Sequence, residues 1–382
     1  MSYTTAIVDL LDAAQVGVDR RISEFVAGEL GRRDRELVLC GAGVLGSAVL
    51  RELRQHGRQI AAFADNASHV VGTTVDGIRV HSVAEAVQLH PDAAFVTTVY
   101  NPSTITAQLR GLGIVPTSTR ALLLSDQAFH AHWSMGSPRA VLEDVEGAVA
   151  GADIWADAGS QSEYEHQLRW QLLMQPSVRQ SMPPSETYFP GDIVRIGPSE
   201  HFVDCGAFDG DSARALLART AGSFSRIDAF EADPVNQARF QSWVASLDES
   251  ARSRVHLHRA AVSATRGTLR FAGGAGPLST LAQEGELVVD AVPLDAALEG
   301  LDPTFLKVDV EGAEHDVIAG ARETIRRAGP FAAICLYHRA SDLWTIPLAL
   351  RQLREDYRLY LRRYAEDCWE TVCYAVPSSR VI

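Results

Sequence analysis

Apolar positions recur along the chain at two periods, and the switches between them outline its architecture. Ile7, Leu10, Leu11, Ala14 and Val18, then Ile22, Phe25, Val26 and Leu30, return every three or four positions. Residues 1–35 are therefore expected to be helical, with a stripe suited to a core or to a homodimer face. Short apolar runs at 36–40, 59–65 and 93–99 alternate with helical stretches and predict a small Rossmann-like unit over 36–115. Residues 116–187 are less regular. Within them Tyr164, Leu168 and Leu172 stand four apart and predict one helix over 160–173, while Pro176 and the Pro183-Pro184 pair mark a connector.

The strand–helix alternation resumes over 188–382. Runs at 201–205, 226–231, 255–262, 305–309 and 331–338 predict five strands joined by crossovers. Residues 268–271 and 286–293 predict a hairpin with Gly273-Gly-Ala-Gly276 in its loop, and 358–364 with 370–376 an antiparallel pair at the sheet edge. The expected fold class is α/β: a C-terminal seven-stranded Rossmann-like sheet, preceded by a smaller Rossmann-like α/β domain and a helical connector. A chain of 382 residues is long enough for both.

Charge and cysteine usage narrow the function classes. A formal net charge of -13 argues against a nucleic-acid partner, because phosphate binding needs basic patches and no arginine cluster stands out. No run approaches the length of a membrane span, and no basic-then-apolar leader opens the sequence, so neither a membrane nor a secretory signal is expected. Cys40, Cys205, Cys335, Cys368 and Cys373 follow neither a zinc nor a disulfide spacing, which suits a reducing cytoplasm.

Two glycine loops carry candidate chemistry. The first closes a predicted strand with Gly41, Gly43 and Gly46, the full G-x-G-x-x-G, and Asp65 ends the next strand. Two readings stand level there: a nucleotide phosphate on the loop, or glycines that only let helix and strand pack closely. The second loop, Asp204-Cys205-Gly206-Ala207-Phe208-Asp209-Gly210-Asp211-Ser212, is different in charge. Its three aspartates would repel a pyrophosphate and attract a cation. S-adenosylmethionine, with a nucleoside at one end and a sulfonium and an ammonium towards the other, fits such a loop. Glu231, at the end of the next strand, is placed to accept both ribose hydroxyls, with Ala232 beside it, and Ala260 and Ala261 leave room for the adenine.

Several motifs in order carry a resemblance: Asp204–Asp211, Phe-Glu-Ala-Asp-Pro at 230–234, Pro-Leu-Asp at 293–295, Phe-Leu-Lys-Val-Asp-Val-Glu-Gly-Ala-Glu at 305–314, and Leu-Tyr-His-Arg-Ala-Ser-Asp-Leu-Trp at 336–344. Together they resemble the FkbM family of S-adenosylmethionine-dependent methyltransferases over about 188–376. The resemblance implies O-methylation of a small-molecule hydroxyl, on a sugar, glycoside or polyketide, by direct in-line transfer.

The strand that ends near Glu311 has its own physical signature. Side chains alternate along a strand, so Lys307, Asp309 and, if extension persists, Glu311 share one face. Three charges on a central strand are costly unless they pair or serve a site. Lys307 is also the only lysine among the 35 lysine and arginine residues. His338 ends the neighbouring strand at the same edge and, taken as neutral, suits removal of the hydroxyl proton, with Asp309 or Glu311 orienting it. A metal version of the site has Asp309, Glu311 and His338 ligate one divalent ion. Tyr188 and Phe189 are placed either to cover the donor or to clasp two domains. Rival readings use the Gly41 loop, for an NAD(P)-dependent oxidoreductase or a nucleotide-sugar-binding protein.

Overall fold

The structure, a computed structural model, describes residues 3–30, 35–55, 57–124, 138–174, 181–272, 280–281, 287–366 and 368–382. The Gly273–Gly276 loop and Pro176 lie outside the described residues. Gly17, at φ +69, splits the N-terminal helical region into Tyr3–Gln15 and Val18–Leu30. Ile7, Leu10, Leu11 and Ala14 of the first helix join the core of the C-terminal half, beside Tyr164 and Leu168, so this stripe is core.

The N-terminal unit is a six-stranded sheet of β1 (Leu37–Cys40), β2 (Ile60–Asp65), β3 (Thr74–Val75), β4 (Ile78–Ser82), β5 (Ala94–Thr97) and β6 (Thr117–Ser118). Its order is β3-β4-β2-β1-β5-β6, parallel except for β3. Leu37 and Leu39 face one core and Val38 and Cys40 the other, which is why β1 reads as an unbroken apolar run.

The C-terminal sheet comprises β7 (His201–Cys205), β8 (Arg226–Phe230), β9 (Val255–His258), β14 (Phe305–Val308), β15 (Phe331–Cys335), β16 (Tyr357–Arg363) and β17 (Thr371–Pro377), in the order β16-β17-β15-β14-β7-β8-β9. Only β17 is antiparallel to its neighbours. Leu306 and Val308 pack on one side of β14, and Phe305 packs at a tilt against Phe202 and Phe331 on the other, with ring centroids 4.7 Å apart in each pair. The run at 255–262 does not remain one strand. β8 has ended at Phe230, so no ladder remains beyond His258; β10 (Ala261–Val262) instead pairs with β13 (Leu287–Val292), which also pairs with β11 (Gly267–Ala272), next to the short β12 (Thr280–Leu281).

Helix Ala158–Leu173, capped by Asp157, lies against the sheet edge. Ser160 Oγ accepts from Leu361 N at 2.9 Å, and buried Arg363 pairs with Glu163 at 2.9 Å. The N-terminal unit is clasped from the turn between β16 and β17: Glu366 accepts from Ser103 N at 2.9 Å, capping helix Ser103–Gly111, and Asn101 Oδ1 accepts from Glu366 N at 3.0 Å. Ala365 and Trp369 are buried in the core of the six-stranded sheet. All five cysteines are buried. Among the described residues no helix is long and apolar enough to cross a membrane.

Candidate active site

Strand order reverses between β7 and β14, and the loops leaving these strands open a cavity of about 480 Å³ at the carboxyl edge of the sheet. The two loops cross at Gly206. A Cβ there would lie 1.8 Å from the Asp309 carbonyl oxygen, and φ is +81, so only glycine lets the backbones meet.

Lys307 anchors this crossing. Its register partner on β7 is Asp204, and Nζ lies 3.1 Å from the Asp204 carboxylate while donating to Gly206 O at 2.6 Å. Burial works against the ammonium, but Asp204, Asp309 and Asp211 outweigh it and hold its pKa above the ordinary lysine value. Burial pushes the Asp204 carboxyl up to about 6 against the pull of Lys307. The contact with Gly206 makes Lys307 a clamp between two strands and the loop.

The predicted donor residues divide. Gly206, Asp211, Ser212, Glu231, Ala232, Ala260 and Ala261 line the cavity, whereas Asp204, Cys205, Ala207, Asp209 and Gly210 do not. Asp209 is paired with Arg214 at 2.5 Å, so Asp211 alone of the three aspartates faces the space. Glu231 accepts from Phe208 N at 2.8 Å and Asp233 N at 2.7 Å. Burial raises its carboxyl to about 6 in spite of these donors.

At the other end, four side chains converge. His338 Nδ1 donates to Glu314 at 2.8 Å, and its Nε2 lies 3.4 Å from Glu311 and 3.6 Å from Asp309. Asp309 also accepts from Tyr188 Oη at 2.8 Å. Burial opposes charge on His338, but Glu314 and Glu311 outweigh it and push its pKa up to about 10. That direction favours a charged ring, whereas the reading from sequence took a neutral one. Burial, with Asp309 and Glu314 close by, raises Glu311 to about 8 although His338 pulls the other way. Burial and the nearby Asp309 raise Glu370, also on the wall, to about 7.

Glu311 does not arrive by strand alternation. β14 ends at Val308, and Glu311 turns into the left-handed region at φ +54 before Gly312 at φ +94. Tyr188, Phe208 and Glu370 also have positive φ and also line the cavity. Such backbone costs on the order of 1–3 kcal/mol per residue and gathers where a site demands it. Glu314, Glu370, Tyr337, Trp369 and Tyr100 were not singled out from the sequence. Glu314 was within reach as the third residue after Glu311 at a helix start; the others come together only through the chain fold. Asp309, Glu314 and His338 each offer an atom within 4.8 Å of the others, the grouping a metal would need, with Glu314 in place of the expected Glu311. A metal on either His338 nitrogen would require that nitrogen to be unprotonated.

At the Gly41 loop, glycine serves close packing. A Cβ on Gly46 would sit 1.9 Å from Gly41 O, and one on Gly41 2.5 Å from Val99. No Cβ contact restricts Gly43. Asp65 accepts from Ala42 N and Ala67 N, both at 2.8 Å, and so holds the loop itself.

Residues 204–364 match the family model described as the methyltransferase FkbM domain. The crystal structure of a methyltransferase FkbM from Methylobacillus flagellatus KT, 23% identical, is similar over 98% of this chain and 99% of its own, with a TM-score of 0.74, so the fold is shared end to end. A precorrin-6y C5,15-methyltransferase from Geobacter metallireducens GS-15 is a far weaker likeness, with 13% identity over 48% of this chain and 81% of its own and a TM-score of 0.29. No curated protein matches the sequence. Residues 204–364 of this chain are therefore a methyltransferase FkbM domain, set in a fold shared with a methyltransferase FkbM along its whole length.

Proposed function

We propose that the chain methylates a hydroxyl group of a small molecule with S-adenosylmethionine as donor. The observation that supports this most is the continuity of one cavity from Glu231, Ala260 and Ala261 at one end to Asp309, Glu311 and His338 at the other. Donor and hydroxyl can then share a space that holds them in reacting order. When bound, the donor supplies a methyl group activated by a sulfonium.

The chain's own part is binding, orientation and the proton. Glu231 accepts from ribose hydroxyls, and Asp211 adds negative charge near the donor's positive groups. Lys307 keeps the Gly206 loop seated. The base is Glu311 and not His338, whose imidazolium has no free pair to offer. A carboxylate raised to about 8 is a stronger proton acceptor than an ordinary one, and it accepts the hydroxyl proton as the oxygen takes the methyl carbon. His338, fixed by Glu314, stays charged and orients Glu311 and Asp309. This assignment does not route through a metal. Supplied with donor and a set of hydroxyl compounds, the enzyme should yield a product one methylene heavier with the new methyl on oxygen. A methyl on nitrogen or carbon would overturn the O-methyl assignment.

A further inference from the structure

We propose that the N-terminal α/β unit completes the acceptor end of the cleft through Tyr100, and that the acceptor carries an ammonium group near its reactive hydroxyl. The proposal rests on the methyl-transfer reading above and names the chemistry of its second substrate.

Tyr100, just beyond β5, meets Trp369 edge to face at 5.3 Å; Trp369 meets Tyr337 at 6.2 Å; and Tyr337 lies 4.3 Å from the His338 ring. All three aromatic residues line the cavity. They form a wall running from the N-terminal unit to the reacting end, and the Glu366 clasp with buried Trp369 holds it in place. Asp309, Glu311 and Glu370 line the same end. The cations of the cleft, Lys307 and His338, each already have a buried carboxylate of their own, Asp204 and Glu314. With those two pairs set aside, Asp309 gives the acceptor end negative charge beside aromatic rings, and Glu370 and Glu311 add to it as they ionise. Ring faces attract a cation through their quadrupole, and a carboxylate beside them adds charge attraction. An anionic acceptor meets like charge and is rejected. Ligands held between two units are a common arrangement, and it gives the N-terminal unit a role without a second nucleotide.

The test uses three probes with one ring: methyl 2-amino-2-deoxyglucoside, its N-acetyl derivative and methyl glucuronide. Binding to the full-length protein is followed by saturation-transfer NMR with S-adenosylmethionine present, and donor affinity is measured separately by calorimetry. The amine should bind at least about tenfold more tightly than the N-acetyl compound, with no binding of the glucuronide. Tyr100→Ala should weaken the amine about tenfold, Tyr100→Phe should keep it, and Glu370→Gln should narrow the gap between amine and amide; donor affinity should hold in all three variants. Equal binding of the amine and N-acetyl probes, preference for the glucuronide, or an unchanged Tyr100→Ala variant overturns the proposal while donor binding stands. Absence of donor binding in the unmodified protein overturns the methyl-transfer reading and this one with it.

Discussion

Glu311 shows how a side chain acquires its chemistry from its neighbours. Its carboxyl is raised by burial among acids, so the fraction able to act as a base grows with pH through about 8, and the His338 cation beside it is lost near pH 10. kcat/KM should therefore rise with pH through about 8 and fall towards 10, as a pH–rate profile will show. His338→Asn removes a cation that lowers the Glu311 pKa, so the rising limb should move to higher pH. Glu311→Gln should lower turnover by about 10²–10⁴-fold with donor affinity retained; a variant with near-normal turnover would take the base role away from Glu311. Lys307, Asp309 and His338 were legible as candidates because charges on a buried strand end are conspicuous. The protonation of His338 was not, since it depends on Glu314 and Glu311, which reach it through a helix start and a left-handed turn. The aspartates of the Gly206 loop were legible as acids but not as a cradle, because Arg214 and Lys307 claim two of the three.

At the scale of elements, the crossing of β7 and β14 depends on one cross-strand pair and one glycine. Lys307→Met leaves Asp204 fully buried beside no cation and should cost about 3–5 kcal/mol in a denaturation experiment. Adding Asp204→Asn should recover much of that loss, because the stranded charge is gone. Gly206→Ala should be worse for the cleft than for the remote sheet edge, since the new methyl meets Asp309 O. Most strands could be read from apolar runs bounded by turns, including the antiparallel pair at the edge, β16 and β17. The break in 255–262 could not, because it arises where the partner strand runs out and not from any residue within the run.

Across the whole molecule, two Rossmann-like units are visible in the sequence as two glycine loops, but their glycines do different things. Gly46 and Gly41 bring helix, strand and loop into contact, whereas Gly206 shapes a cavity. The joining of the units was not legible, because Tyr100 is far in the chain from Glu366 and Trp369 and no spacing pattern links them. Glu366→Ala removes a helix cap at the joint and should lower stability by about 0.5–2 kcal/mol, read from thermal unfolding. The most direct measurement is calorimetric titration of S-adenosylmethionine, with NAD in parallel, into the purified protein and its Glu231→Ala variant. One-to-one binding of S-adenosylmethionine but not NAD, weakened about tenfold or more by the substitution, is the predicted result. Binding of NAD with no uptake of S-adenosylmethionine would contradict it.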